Sequence, residues 1–234
     1  MPDTAIPETV TVVFPLFEGV TQLDFTGPHQ LFSRVPGLRV TAASLGGRPI
    51  EADGLRFDGL ADLARVGRCD LLCVPGGYGT TAAIGDAAYL AEIRRLAAGA
   101  RWLTSVCTGS LVLAAAGLLK GRRAACHWAW RELLRPFGAI PDDGRVVRDG
   151  RIITGGGVTA GLDFALAVVA ELFDRPTAEA VQLALEYAPA PPFEAGRPET
   201  APAAVAALVR ARLDAGLAER RAAVEAAARQ LQPA

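Results

Sequence analysis

Few residues in this chain are suited to chemistry, and one of them stands at a structural joint. In RWLTSVCTGSLVLAAAGLL, residues 101–119, a β-branched apolar run gives way to an alanine- and leucine-rich one at Cys107, with Thr108 and Gly109 behind it. A thiol where a strand becomes a helix lies beside the free N–H groups and positive dipole end of that helix, which favour a thiolate. Gly109 permits the sharp turn of a nucleophile elbow. The competing reading is a cysteine that only packs, as buried free cysteines commonly do; the position at the joint favours the nucleophile. Cys69 and Cys73 fall within or beside an apolar strand and read as packing residues. Cys126, next to His127, leans the same way.

A nucleophile needs donors for the charge its attack creates. The turn Pro75-Gly76-Gly77-Tyr78-Gly79 closes the strand before the elbow. Gly76 and Gly77, with the N–H of Thr108, are the expected anion hole. The turn lacks the Lys-Ser/Thr of a P-loop and the spacing of a dinucleotide fingerprint. Gly155-Gly156-Gly157 is either a second such turn or a tight strand-to-helix connection. Proton donors are scarcer. His29 and His127 are the two histidines, and neither has an orienting carboxylate nearby in sequence, so a Cys-His-Asp triad is not indicated. Asp24, between Leu23 and Phe25 in QLDFTGP, is a carboxyl among apolar neighbours, which tends to keep its proton. The same position also suits a helix cap.

These residues need a frame, and the chain reads as alternating strand and helix. Strands are expected at Val10–Leu16, Leu38–Ala43, Cys69–Val74 and Trp102–Val106, with a short one at Ala124–His127. Hairpins are expected at Pro49–Asp58, around Asp53-Gly54, and at Arg145–Thr154, around Asp149-Gly150. Helices are expected at Thr21–Val35 (interrupted by Pro28), Asp86–Ala100, onward from Gly109, Trp128–Phe137, Val158–Phe173 and Thr177–Tyr187. A proline-rich arm, Ala188–Pro202, leads into one long Ala/Arg-rich helix, Ala203–Leu231, packed on the domain or on a partner. Such alternation implies an α/β sandwich with a mainly parallel sheet covered on both faces, formed by residues 1–234 as one domain. Ligands of such sheets bind at the carboxyl edge, where Cys107 stands.

Composition narrows the function classes. The 234 residues are 51% hydrophobic and 21% charged, with a net charge of −1 and no run of five like charges. That excludes disorder and gives no footprint for nucleic acid or an anionic membrane. The N-terminal MPDTAIPETV has no basic segment followed by an apolar one, and the longest apolar run is about half a bilayer span, so a cytoplasmic protein is expected. Four irregularly spaced cysteines argue against a disulfide framework or a zinc site.

The stretches SVCTGSLVLAAAGLLKGRRA and CVPGG resemble the ThiJ/PfpI superfamily, whose flavodoxin-like domain is related to class I glutamine amidotransferases. Within it, QLDFTGPHQLF, SVCTGS, HWAW, RVVRDGRIITGGGVTAGLDFAL and EYAPAPPFEAGRPETAP are similar to the isocyanide hydratases, over about Val10 to Pro202. The resemblance implies that Cys107 adds to an isocyanide to give an N-substituted formamide. Asp24 would be the acid where most of the superfamily uses glutamate. Thr108 would hold its hydroxyl near Asp24 or the substrate. It further implies a small uncharged substrate, which suits a site poor in Lys and Arg, no metal or organic cofactor, and a homodimer. One departure is Cys126, where the resemblance implies threonine. Two other readings stay open: another activity of the superfamily (glyoxalase or deglycase, amidase, peptidase), or a stand-alone cysteine-based sensor. The residues after the arm are too few for the helix-turn-helix pair carried by related AraC-type regulators.

Overall fold

A computed structural model describes residues 9–231. The N-terminal stretch read above for a leader falls almost entirely on residues 1–8, outside the described residues. In chain order, β1 (Val10–Pro15) leads into α1 (Gln22–Phe32) and β2 (Leu38–Ser44). The hairpin β3 (Ile50–Ala52) and β4 (Leu55–Phe57) follows, then β5 (Ala61–Asp62) and β6 (Leu71–Val74). Next come α2 (Thr80–Ala83), α3 (Ala87–Gly99), β7 (Trp102–Val106) and α4 (Gly109–Ala115). The chain continues through β8 (Arg123–Ala125), β9 (Ile140–Asp142), β10 (Val146–Asp149) and β11 (Ile152–Gly155) to α5 (Ala160–Leu172) and α6 (Arg175–Ala184). After the arm come α7 (Ala203–Asp214) and α8 (Leu217–Gln230).

The main sheet has the order β10-β11-β7-β6-β1-β2-β5, parallel throughout except for β10, which returns antiparallel from β11. This is the flavodoxin-like α/β sandwich. β6 reads Leu-Leu-Cys-Val and every residue of it is buried, the continuous apolar run expected of a strand covered on both faces. From β1 the chain steps outward to β2 and later returns to β6 on the other side. The loops after β1 and β6 therefore diverge at a topological switch point, where ligand sites of such sheets form. α1, α5 and α6 pack on one face, and α3 and α4 pack against each other on the other.

Several expectations need correction. α1 runs unbroken through Pro28, because the proline ring is held against Gly161 of α5, where an added Cβ would lie 3.3 Å from it. Packing between the two helices outweighs the lost N–H. The C-terminal segment is two helices, not one, with a break at Ala215-Gly216. α8 packs on α2, α4 and the 3₁₀ turn Arg131–Phe137, whereas α7 has no buried residue. That 3₁₀ turn replaces the helix expected from Trp128, and Pro136 lies inside it. The short β5 and β9 carried no recognisable local signal; they are ordered by their partners β2 and β8.

Candidate active site

Cys107 and Thr108 form the two-residue turn between β7 and α4, and the Cys107 backbone is left-handed, with φ at 57°. A non-glycine residue in that region is strained, and such strain persists only where the surroundings over-determine it. They do so here. The Cys107 N–H donates to the Gly155 carbonyl (3.1 Å), which places the Gly155–Gly157 turn against the elbow. Gly109 passes so close to β6 that a Cβ there would lie 2.1 Å from the Val74 carbonyl oxygen. At Gly76 a Cβ would meet the Thr108 nitrogen at 2.4 Å. The ends of β6 and β7 are thus pressed together backbone to backbone, and both positions require glycine.

Asp24 reaches this junction from the first turn of α1. It does not cap its own helix: the cap residue is Thr21, and the Gln22 N–H is instead satisfied by the carboxylate of Asp53, from the β3–β4 hairpin, at 2.9 Å. Asp24 Oδ2 accepts the N–H of Gly76 at 3.0 Å, across 52 residues. Its Oδ1 has no hydrogen-bond partner, and the side chain is fully buried. The carboxyl and the Cys107 thiol are close enough that each perturbs the other's ionisation. Burial raises Asp24 from 3.8 to about 7, against the opposing effect of the Gly76 hydrogen bond. Burial also pushes the Cys107 thiol well up, and the neighbouring Asp24 adds to this. The expected gain for the thiolate from the helix end is therefore outweighed. Desolvation of a residue only 3% exposed is larger than the help from the Thr108 N–H.

Two of the three donors expected for an anion hole are engaged within the protein. The N–H of Gly76 is engaged by Asp24, and that of Gly77 donates to Thr108 Oγ1 at 2.9 Å. Neither is free to form an anion hole; the two donors hold the acid and the elbow in place. The Thr108 hydroxyl also pairs with Thr80 Oγ1 (2.9 Å), so it braces the turn.

The other sulfurs divide by place. Burial pushes Cys69 and Cys73 to about 11 and about 12, as inert packing residues. Cys126 lies beside Cys107, pushed up by burial to about 11 and hydrogen-bonded by Ser110 and the His127 N–H. His127 stacks on Trp130, with ring centroids 4.8 Å apart, and accepts the Ala129 N–H at Nδ1. Burial pushes it down to about 4, so it is a neutral ring at pH 7. His29 lies away from the site, bonded to Ser33. A cleft of about 390 Å³ runs along Cys126, His127, Gly156 and Gly157 to Arg197 of the arm. Sequence reading missed Arg220 of α8, which is buried beside these groups. The site is not free of basic residues, so that argument for an uncharged substrate falls.

Fold and site together define a flavodoxin-like α/β protein with a strained cysteine elbow facing a buried carboxyl. A family model described as the DJ-1/PfpI family matches residues 10–171, and the chain belongs to that family. Among curated proteins it is similar to the isonitrile hydratase of Pseudomonas putida, with 48% identity over 219 residues, 93% of this chain and 96% of that one. A crystal structure of a THiJ/PfpI family protein from Pseudomonas syringae superposes with a TM-score of 0.87 at 42% identity, covering 97% of each chain. Drosophila melanogaster DJ-1beta, at 24% identity and a TM-score of 0.66 over 76% of this chain and 98% of its own, shares the fold.

Proposed function

We propose that this protein hydrates isocyanides to N-substituted formamides, with Cys107 as nucleophile and Asp24 as acid and base. The observation that carries the reading is the facing pair of Cys107 and Asp24: a strained thiol against a carboxyl raised to about 7. The 48% identity to an isonitrile hydratase points the same way.

The terminal carbon of R–N≡C takes both a nucleophile and a proton. Burial raises both acids, and the pair holds one proton between them once the first is lost at about 7. The Cys107 sulfur forms the S–C bond while that proton passes to the same carbon from Asp24, leaving the thioimidate R–N=CH–S. Asp24, now ionised, takes a proton from water as the oxygen bonds to the carbon, and passes that proton to nitrogen. The tetrahedral adduct R–NH–CH(OH)–S then returns its hydroxyl proton to Asp24 as the C–S bond breaks. The products are the formamide R–NH–CHO and the starting pair. No metal or organic cofactor enters these steps.

We place the reaction in the cytoplasm, where four free cysteines stay reduced; among the described residues no helix is long and apolar enough to cross a membrane. A homodimer is part of the proposal, supported by the exposed Leu183, Phe193, Val205 and Leu208 on α6, the arm and α7. The direct test is incubation of the purified protein with an aromatic isocyanide, following formamide by chromatography. Turnover that disappears in Cys107→Ser supports the reading. Absence of turnover across several isocyanides refutes it.

A further inference from the structure

Among the described residues, the buried polar and charged side chains include one carboxylate and one guanidinium, Asp24 at 0% and Arg220 at 4% exposure. They come from the first helix and the last, and both lie at the elbow. Buried charges are costly unless compensated, so two lone charges of opposite sign at one site call for a joint explanation. They do not form an ion pair. Arg220 lies over the Trp130 ring (4.3 Å from Cζ to the centroid), and its Nη2 reaches the Tyr78 carbonyl at 3.4 Å. Its Nη1 has no partner. The ionisable groups in its electrostatic range are Cys126, Cys107, Tyr78, Glu219 and His127, with Arg131 beside Cys126. Tyr78 belongs to the turn whose Gly76 holds Asp24. Arg220 therefore braces that turn and places a permanent positive charge near the elbow.

We propose that Arg220 is a positioning residue of the active site: it is the countercharge for the single negative charge that the buried Cys107–Asp24 pair carries after losing one proton. The proposal rests on the reading of that pair as the reacting groups. It explains why a guanidinium is buried with an open Nη1 donor. An opposite charge nearby favours the anion, against the burial that pushes the Cys107 thiol well up. A helix more than 100 residues from the elbow thereby contributes to its chemistry.

The test is the pH dependence of Cys107 alkylation by iodoacetamide between pH 6 and 10, mapped by peptide, in the wild type, Arg220→Gln, Arg220→Met and Arg220→Lys. Loss of the charge in the Gln and Met variants raises the apparent pKa of Cys107 by about one unit, the lower end of a neighbouring charge's effect. Alkylation at a fixed pH below it becomes ~10-fold slower. Arg220→Lys stays close to the wild type. Should Arg220→Gln fail to fold, Arg220→Met carries the comparison, its thioether filling the space over Trp130. A Cys107 profile unchanged in the folded, uncharged variants overturns the proposal, and so does a shift confined to Cys126. Alkylation needs no isocyanide, so a protein that hydrates none still decides the role of Arg220.

Discussion

Asp24→Asn is the most informative single substitution, because it should weaken catalysis while strengthening the fold. Asn keeps an oxygen to accept the Gly76 N–H, now made at 3.0 Å by Oδ2, and puts an amide where Oδ1 has no partner. In the wild type the carboxyl titrates at 3.8 when unfolded and at about 7 when folded. The folded state therefore holds a proton that the unfolded chain releases between about pH 4 and pH 7, and stability falls as pH rises through that window. A rise of about three units, at 1.36 kcal/mol each, makes the loss about 4 kcal/mol above pH 7. Asn cannot ionise, so the variant is spared this loss. Urea unfolding followed by tryptophan fluorescence should show the two proteins of similar stability at pH 4, with the variant about 4 kcal/mol more stable at pH 8. In the same variant formamide production should fall by ~10²–10⁴-fold, the usual contribution of a general acid or base. Cys107 should alkylate at least as fast, since the charge that raised its pKa is gone. Parallel stability profiles for wild type and variant, or near-normal turnover, would refute the reasoning. Loss of both turnover and alkylation would mean that Asp24 only holds the site together.

Other outcomes follow from the same geometry. Cys107→Ser should abolish hydration with unchanged circular dichroism, because a buried serine beside Asp24 is far harder to ionise than a thiol. Gly76→Ala must displace the Thr108 backbone, which a Cβ would meet at 2.4 Å; a drop in both melting temperature and alkylation rate is expected. Thr108→Val leaves the buried Gly77 N–H without its acceptor and should cost about 1–3 kcal/mol in urea unfolding, whereas Thr108→Ser should restore most of it.

Much of the frame was legible in local sequence. Apolar runs marked β1, β2, β6 and β7. The dipeptides Asp53-Gly54 and Asp149-Gly150 marked both hairpins: the first is itself the turn, with positive φ at both residues, and in the second the turn is Gly150-Arg151, with Asp149 paired to Ile152. The elbow was legible from the change of residue type at Cys107, but the glycine two places on is required by the approach of β6, where a Cβ would lie 2.1 Å from the Val74 carbonyl oxygen. Asp24 was legible as a carboxyl in apolar company, but whether it was cap or acid was not. That was decided by the β3–β4 hairpin, whose Asp53 takes over the capping of α1, and by Gly76, whose N–H draws Asp24 to the thiol. The fate of the glycine donors, the burial that raises Cys107 and the arrival of Arg220 from α8 also belong to the tertiary structure alone. A turn can be read from its neighbours in the chain because it is built from their dihedral angles. A hydrogen bond across 52 residues, or the desolvation of a thiol, depends on every group the fold brings near, and only packing determines which those are.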